Sequence, residues 1–152
     1  MRAHPTALIV RPLLIAALLS LGAMARLNAA ELSPAEQQAI GMAAIGWLDL
    51  LDAGKYAENF AATSAAFRKD LTAEAWAKNH ASMQKQFGAV VSRDDNVKIK
   101  TATSQSKDGK ETTSYTLVIK TKFEKKAGVE NVKMEKESGV WKVADYDIEM
   151  KL

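Results

Sequence analysis

The chain has no cysteine, three prolines and two histidines. Without cysteine there can be no disulfide, no thiolate metal site, no cysteine nucleophile and no lipidated cysteine of a bacterial lipoprotein. Beyond residue 30 there is one proline, Pro34, and one histidine, His80. A zinc site therefore lacks its usual ligands, and only carboxylate oxygens remain for a metal. Asp94-Asp95-Asn96 is a short acidic group without the ordered ligand spacing of a calcium loop, and it reads as a turn before a strand. There is no glycine-rich phosphate loop, no nucleophile elbow and no His-Glu zinc motif. The sequence thus implies no cofactor and no metal.

The first thirty residues contain no acidic side chain. Arg2, His4 and Arg11 form a basic start, Pro12–Met24 is almost wholly apolar, and small residues follow at Ala23, Ala25, Ala29 and Ala30. This is the layout of a secretory signal peptide. The apolar run is shorter than the roughly 20 residues that span a bilayer, so no stable membrane anchor is expected after cleavage. The cut can follow Ala25 or Ala30, and Ala30 fits better because the folded domain begins near Ser33. A periplasmic or secreted protein is expected, with residues 31–152 as a single domain.

The formal charge of +3 comes from 21 basic and 18 acidic residues. Arg2, Arg11 and Arg26 all lie in the leader, so residues 31–152 are formally neutral. The basic isoelectric point belongs to the precursor, and no nucleic-acid partner is implied.

Residues 31–89 are rich in alanine with helical periodicity. Ser33-Pro34-Ala35-Glu36 predicts a helix start with a capping box. Ile40, Ala44, Trp47, Leu48 and Leu51 then share one stripe, and Gly54 suits a C-terminal cap. A second helix carries Tyr56, Phe60 and Phe67. Thr72 can cap a third, whose stripe is Trp76, His80, Met83 and Phe87, ending at Gly88.

Residues 90–152 are rich in Thr, Val and Lys, and they alternate. Four strands are predicted. Val97 and Ile99 share a face in the first, and Asp108-Gly109 makes a hairpin turn. Tyr115, Leu117, Ile119, Thr121 and Phe123 point one way in the second. A turn at Ala127-Gly128 leads to Val132 and Met134. Ser138-Gly139 turns into Trp141 and Val143, after which the parity changes to Ala144, Tyr146, Ile148 and Met150. That slip predicts a β-bulge near Ala144-Asp145. The expected fold class is α+β, with three N-terminal helices packed on a curved four-stranded antiparallel sheet. This element order resembles the cystatin-like or nuclear-transport-factor-like cone fold, which can leave a pocket between sheet and helices.

The run Trp47-Leu48-Asp49-Leu50-Leu51-Asp52-Ala53-Gly54-Lys55-Tyr56 carries a more specific likeness. Phe67, Trp76, Gly88 and Ser92-Arg93 follow at fitting distances, and Trp141-Lys142-Val143-Ala144-Asp145-Tyr146 closes it. The pattern resembles the bacterial domain of unknown function 4019 family over nearly all of residues 31–152. Phe60 stands where the family tends to carry Trp, and Gln84 where Arg is common. The second exchange removes a candidate anion-binding arginine. The resemblance implies an exported cone-like fold and no particular activity.

His80, Tyr115, Asp145 and Tyr146 are the candidate ligand-binding residues. His80 is an imidazole on an apolar stripe, suited to acid–base work in a pocket or simply buried with a hydrogen-bond partner. Tyr115 should face inward, and Asp145 lies at the expected bulge, where side chains are often re-aimed. Their bland alternatives are a core tyrosine and a solvated aspartate. Asp52, Gly54 and Tyr56 read as a structural turn. Lys98, Lys100, Lys120, Lys122, Lys133 and Lys142 share the outer sheet face, with Glu130, Glu135 and Glu137 nearby to dilute their field. The expected role is a non-catalytic small-molecule-binding or protein-interaction module of the cell envelope, with a small-molecule ligand, an envelope protein or a second copy as partner. The alternative is a small isomerase or dehydratase using His80 or Asp145 with Tyr115.

Overall fold

The computed structural model describes residues 32–105, 109 and 111–150. The expected signal peptide and Asp108 lie outside them. Four helices, α1 (Pro34–Asp52), α2 (Tyr56–Ala61), α3 (Ala65–Lys69) and α4 (Ala73–Phe87), precede five strands. The strands are β1 (Val90–Arg93), β2 (Lys98–Gln105), β3 (Glu111–Phe123), β4 (Ala127–Glu137) and β5 (Val140–Met150). All pairings are antiparallel. β1 and β2 pair with successive stretches of β3, and β4 and β5 follow in order.

Local chemistry accounts for the helix ends. Ser33 and Glu36 form the expected capping box, with Pro34 in the first turn. Thr72 Oγ1 accepts from Ala75 N at 3.2 Å and caps α4. Each such cap is worth about 1 kcal/mol. Every member of the expected α1 stripe is buried, and it packs with Phe60, Trp76, Tyr115, Leu117, Ile119, Val132, Met134 and Val143 into one core. Asn59 joins two of its tryptophans. Its Nδ2 donates to Trp47 O at 2.7 Å, its Oδ1 accepts from Trp76 Nε1 at 2.8 Å, and its backbone O accepts from Trp47 Nε1 at 3.0 Å.

The structure corrects three boundaries. The expected second helix is two, because the chain breaks at Thr63-Ser64 to meet the sheet. Thr63 bridges Val143, Ser64 N donates to Val143 O at 2.8 Å, and Ser64 Oγ caps α3. The sheet has five strands rather than four, because Val90–Arg93 pairs with the end of β3 before the Asp94-Asp95-Asn96 turn, in which Asn96 N donates to Asp94 Oδ1 at 2.9 Å. The β3–β4 turn lies at Glu124–Lys126, closed by Phe123 N donating to Lys126 O at 2.9 Å. Gly128 is inside β4, where a Cβ would meet Glu149 O and Ile148 Cγ2 at 3.1 Å.

Ser138 and Gly139 have φ of 50° and 82°, the paired positive values of a primed hairpin turn. The bulge is where the parity change places it: Met134 pairs with Val143 and Lys133 with Asp145, leaving Ala144 extra. Tyr146 and Ile148 therefore keep the inner face, paired with Val132 and Glu130. Helices on one face of an antiparallel sheet give the α+β cone arrangement.

Candidate functional site

A cavity of about 180 Å³ opens between the ends of α1, α2 and α4 and the inner face of the sheet. The helices contribute Leu51, Asp52, Tyr56, His80, Gln84 and Phe87; the sheet contributes Val90, Phe123, Glu130, Tyr146 and Ile148. A second, larger hollow of about 360 Å³ lies between α1 and the β4–β5 hairpin. Its wall is almost entirely apolar, Lys142 being the one charged side chain, and it holds none of the four candidate residues.

Glu130 is the most deeply buried charge in the first cavity wall, at 1% exposure. Four donors converge on its carboxylate. Arg93 Nε reaches Oε2 at 2.7 Å and Nη2 reaches Oε1 at 3.1 Å. Tyr146 Oη donates to Oε1 at 2.7 Å and Thr121 Oγ1 to Oε2 at 2.5 Å. Arg93 is shared, because Nη1 and Nη2 also bind Asp52 Oδ2 and Oδ1 at 2.6 and 3.0 Å. Burial works against the Arg93 guanidinium, but its hydrogen bonds to Asp52 and Glu130 outweigh burial and raise its pKa further. Tyr146 is held well above the usual phenol range by burial, then by the Glu130 charge and hydrogen bond. Two carboxylates around one guanidinium leave this wall with one net negative charge.

His80 lies on α4, 6% exposed. Its ring meets Trp76 edge-on at 3.9 Å and lies 5.6 Å from Tyr146 and 6.1 Å from Tyr56 between centroids. Burial pushes its pKa down to about 4, so the imidazole is neutral at pH 7. Among the described residues no protein group hydrogen-bonds the ring, and His80 lines the cavity. Neutral imidazole offers one donor and one acceptor there. Beside it, Tyr56 Oη donates to Gln84 Oε1 at 3.1 Å, which leaves the Gln84 amide NH₂ for other partners.

Of the four candidate residues, the fold brings two together, His80 and Tyr146. Tyr115 does face inward, but it packs in the core edge-on to Trp141 at 5.5 Å. It lies six positions from Thr121 on β3, about 20 Å along an extended strand. Asp145 points to the opposite face of the sheet, paired with Lys133, and is exposed, its Oδ1 accepting from Tyr146 N at 2.9 Å. The bulge re-aims Tyr146 and leaves Asp145 outside. The alternative of Asp145 working with Tyr115 is therefore not assembled.

Asp52, Arg93, Glu130 and Gln84 were not among the candidates. Glu130 shares parity with Val132 and Met134 on β4, a signal that it faces inward rather than among the outer lysines. Asp52 holds Arg93 instead of its own turn. Among the described residues no group of three His, Asp or Glu side chains could hold a metal ion, and no helix is long and apolar enough to cross a membrane.

The pattern of a family described as protein of unknown function (DUF4019) matches residues 43–146. The chain belongs to the DUF4019 family. The match runs from α1 to Tyr146 and so takes in every charged member of the network around Glu130. No curated protein matches this DUF4019 chain significantly. Among solved structures it is similar to Aln2 from a Streptomyces species, with 16% identity, 78% of this chain and 92% of the other covered, and a TM-score of 0.45. ActVI-ORFA from Streptomyces coelicolor gives 16% identity, 78% and 97% coverage and 0.42. Bd1075 from Bdellovibrio bacteriovorus gives 10% identity and 0.44, with 78% of this chain covered and 41% of that one. Identities this low say nothing about chemistry, so the site has to be read from its own residues.

Proposed function

We propose that this protein is an exported, non-catalytic module of the cell envelope that binds a small, uncharged, single-ring molecule between His80 and Tyr146. Export rests on the leader-like residues 1–30. The binding reading is carried by His80, an imidazole neutral at pH 7 that lines an aromatic-walled cavity and has no hydrogen-bond partner among the described residues. Size supports one ring: the cavity is about 180 Å³, an engineered apolar cavity of roughly 150 Å³ holds benzene, and drug-sized sites run to roughly 300–1,000 Å³. Charge supports a neutral molecule. The described residues that line the cavity include no lysine or arginine, and Arg93 behind them is held by Asp52 and Glu130, so an anion finds no free cation there.

Acid–base catalysis finds less support in these residues. A general base works best with a pKa near the operating pH, and His80 is far below it. Glu130, the one deeply buried carboxylate at the cavity, has both oxygens occupied by donors.

The test is made on protein isolated from the cell-envelope fraction. Its mass is measured first, and it is then titrated with phenol and with benzoate, followed by NMR. The expected result is a chain beginning at Glu31 or Arg26 that binds phenol at least about tenfold more tightly than benzoate, with phenol binding weakened about tenfold by His80→Phe. A precursor mass overturns the export reading. Failure to bind phenol, or binding indifferent to His80, overturns the site.

A further inference from the structure

The outer face of the sheet, opposite the helices and the cavity, is divided by charge. Strand register fixes its rows. One row runs Lys100–Thr116–Lys133–Asp145 across β2 to β5, the next Lys98–Val118–Asn131–Asp147, and the third Lys120–Val129–Glu149 across β3 to β5. In these rows the acidic side chains lie on β5 and the basic ones on β2 and β3, with Lys133 on β4 the one charge in the otherwise neutral strip between. Lys98, Lys100, Lys120, Asp145, Asp147 and Glu149 are all exposed. Among the described residues none of the six is in an ion pair, while Lys133 pairs with Glu135 and Lys142 with Glu137.

Within one molecule the β2 lysines and the β5 acids cannot neutralise each other. β2 and β5 are three strand spacings apart, about 14 Å, well beyond the roughly 8 Å screening length at physiological salt. A second copy can bring them together. A twofold axis lying between two facing sheets and parallel to the strands exchanges the β2 and β5 sides while keeping each row opposite itself. Lys100 then meets Asp145 of the other copy, Lys98 meets Asp147, and Lys120 lies beside Glu149. Symmetry repeats each contact, giving six acid–lysine approaches. An axis perpendicular to the strands would instead stack lysine on lysine.

We propose that the outer sheet face is a self-complementary interface, through which two copies of this chain associate about a twofold axis parallel to the strands. The surface is modest. Four strands by about eight residues project roughly 500 Å², against about 800 Å² per partner in a standard interface. Association is therefore weak and governed by charge. It leaves the cavity, on the opposite side of the sheet, open in both copies, so it does not depend on the proposed ligand.

The test is sedimentation of the purified protein and two triple variants at about 20 mM and about 500 mM salt. One variant carries Asp145→Lys, Asp147→Lys and Glu149→Lys; the other carries Lys98→Glu, Lys100→Glu and Lys120→Glu. Wild type should dimerise at low salt, with the dissociation constant rising at least about tenfold at high salt. Each variant alone should be monomeric, since both of its charge columns then have one sign. An equal mixture of the two should recover a heterodimer at low salt. A wild type that stays monomeric at low salt, a dimer that neither salt nor the variants alter, or a mixture that stays monomeric overturns the proposal.

Discussion

His80 shows how one residue's surroundings set its chemistry. On the sequence it is the single histidine of the folded domain, on a stripe with Trp76, Met83 and Phe87. In the fold Trp76, His80 and Phe87 are buried and Met83 is half-buried, and burial pushes the imidazole down to a pKa of about 4. An unfolded chain takes up a proton near pH 6.5, while folded His80 resists protonation until about pH 4. The unfolded state therefore binds more protons in this window. The stabilisation is fully present above about pH 6.5 and is lost as pH falls through the folded value. Because the ring reaches a cavity, about 2 kcal/mol is the expected size. Urea denaturation at neutral and mildly acidic pH should show that decline in wild type, and His80→Phe should flatten it relative to wild type. Equal slopes for the two proteins would mean that His80 titrates normally in the fold.

At the scale of elements, β5 depends on a single residue. Val143 and Tyr146 both face inward although three positions separate them, which a regular strand forbids. Ala144 absorbs the difference as a bulge. Deleting Ala144 restores a regular ladder with Tyr146 and Ile148 still inside, so that variant should fold and keep its near-ultraviolet circular dichroism. Deleting Asp147 turns Ile148 and Met150 outward and Glu149 inward, and that variant should lose the signal. Equal tolerance of both deletions would show that the bulge does not set the register. The bulge was legible because alternation is strictly two-residue. The break between α2 and α3 was not, since its cause is a hydrogen bond from Ser64 to Val143, a partner far along the chain.

Across the whole molecule, Arg93 ties α1 to the sheet. It sits on β1 and holds Asp52, 41 positions away, and Glu130, 37 positions away. Removing it leaves Glu130 buried with two hydroxyl donors and no opposite charge. Breaking one side of a buried ion pair typically costs about 3–5 kcal/mol, and Arg93→Ala should lose that much in chemical denaturation. A loss below about 1 kcal/mol would mean that Tyr146 and Thr121 alone support the carboxylate.

Periodicity, caps and turn residues are local, and they determined the α+β order, the α1 and α4 stripes, the Ser138-Gly139 hairpin and the bulge. The absence of cysteine and of recognisable catalytic spacing is likewise a property of the sequence alone. The candidate site depends on the tertiary fold. Alternation along β4 turns Glu130 inward beside Val132 and Met134, yet alternation cannot say which side chains meet it. Asp52, Arg93, Thr121 and Tyr146 come from a helix end and three other strands, and only the seating of α1 against the sheet gathers them. Tyr115 and Asp145 show the converse. Both carry suitable chemistry, but distance along a strand removes one and the opposite face of the sheet removes the other.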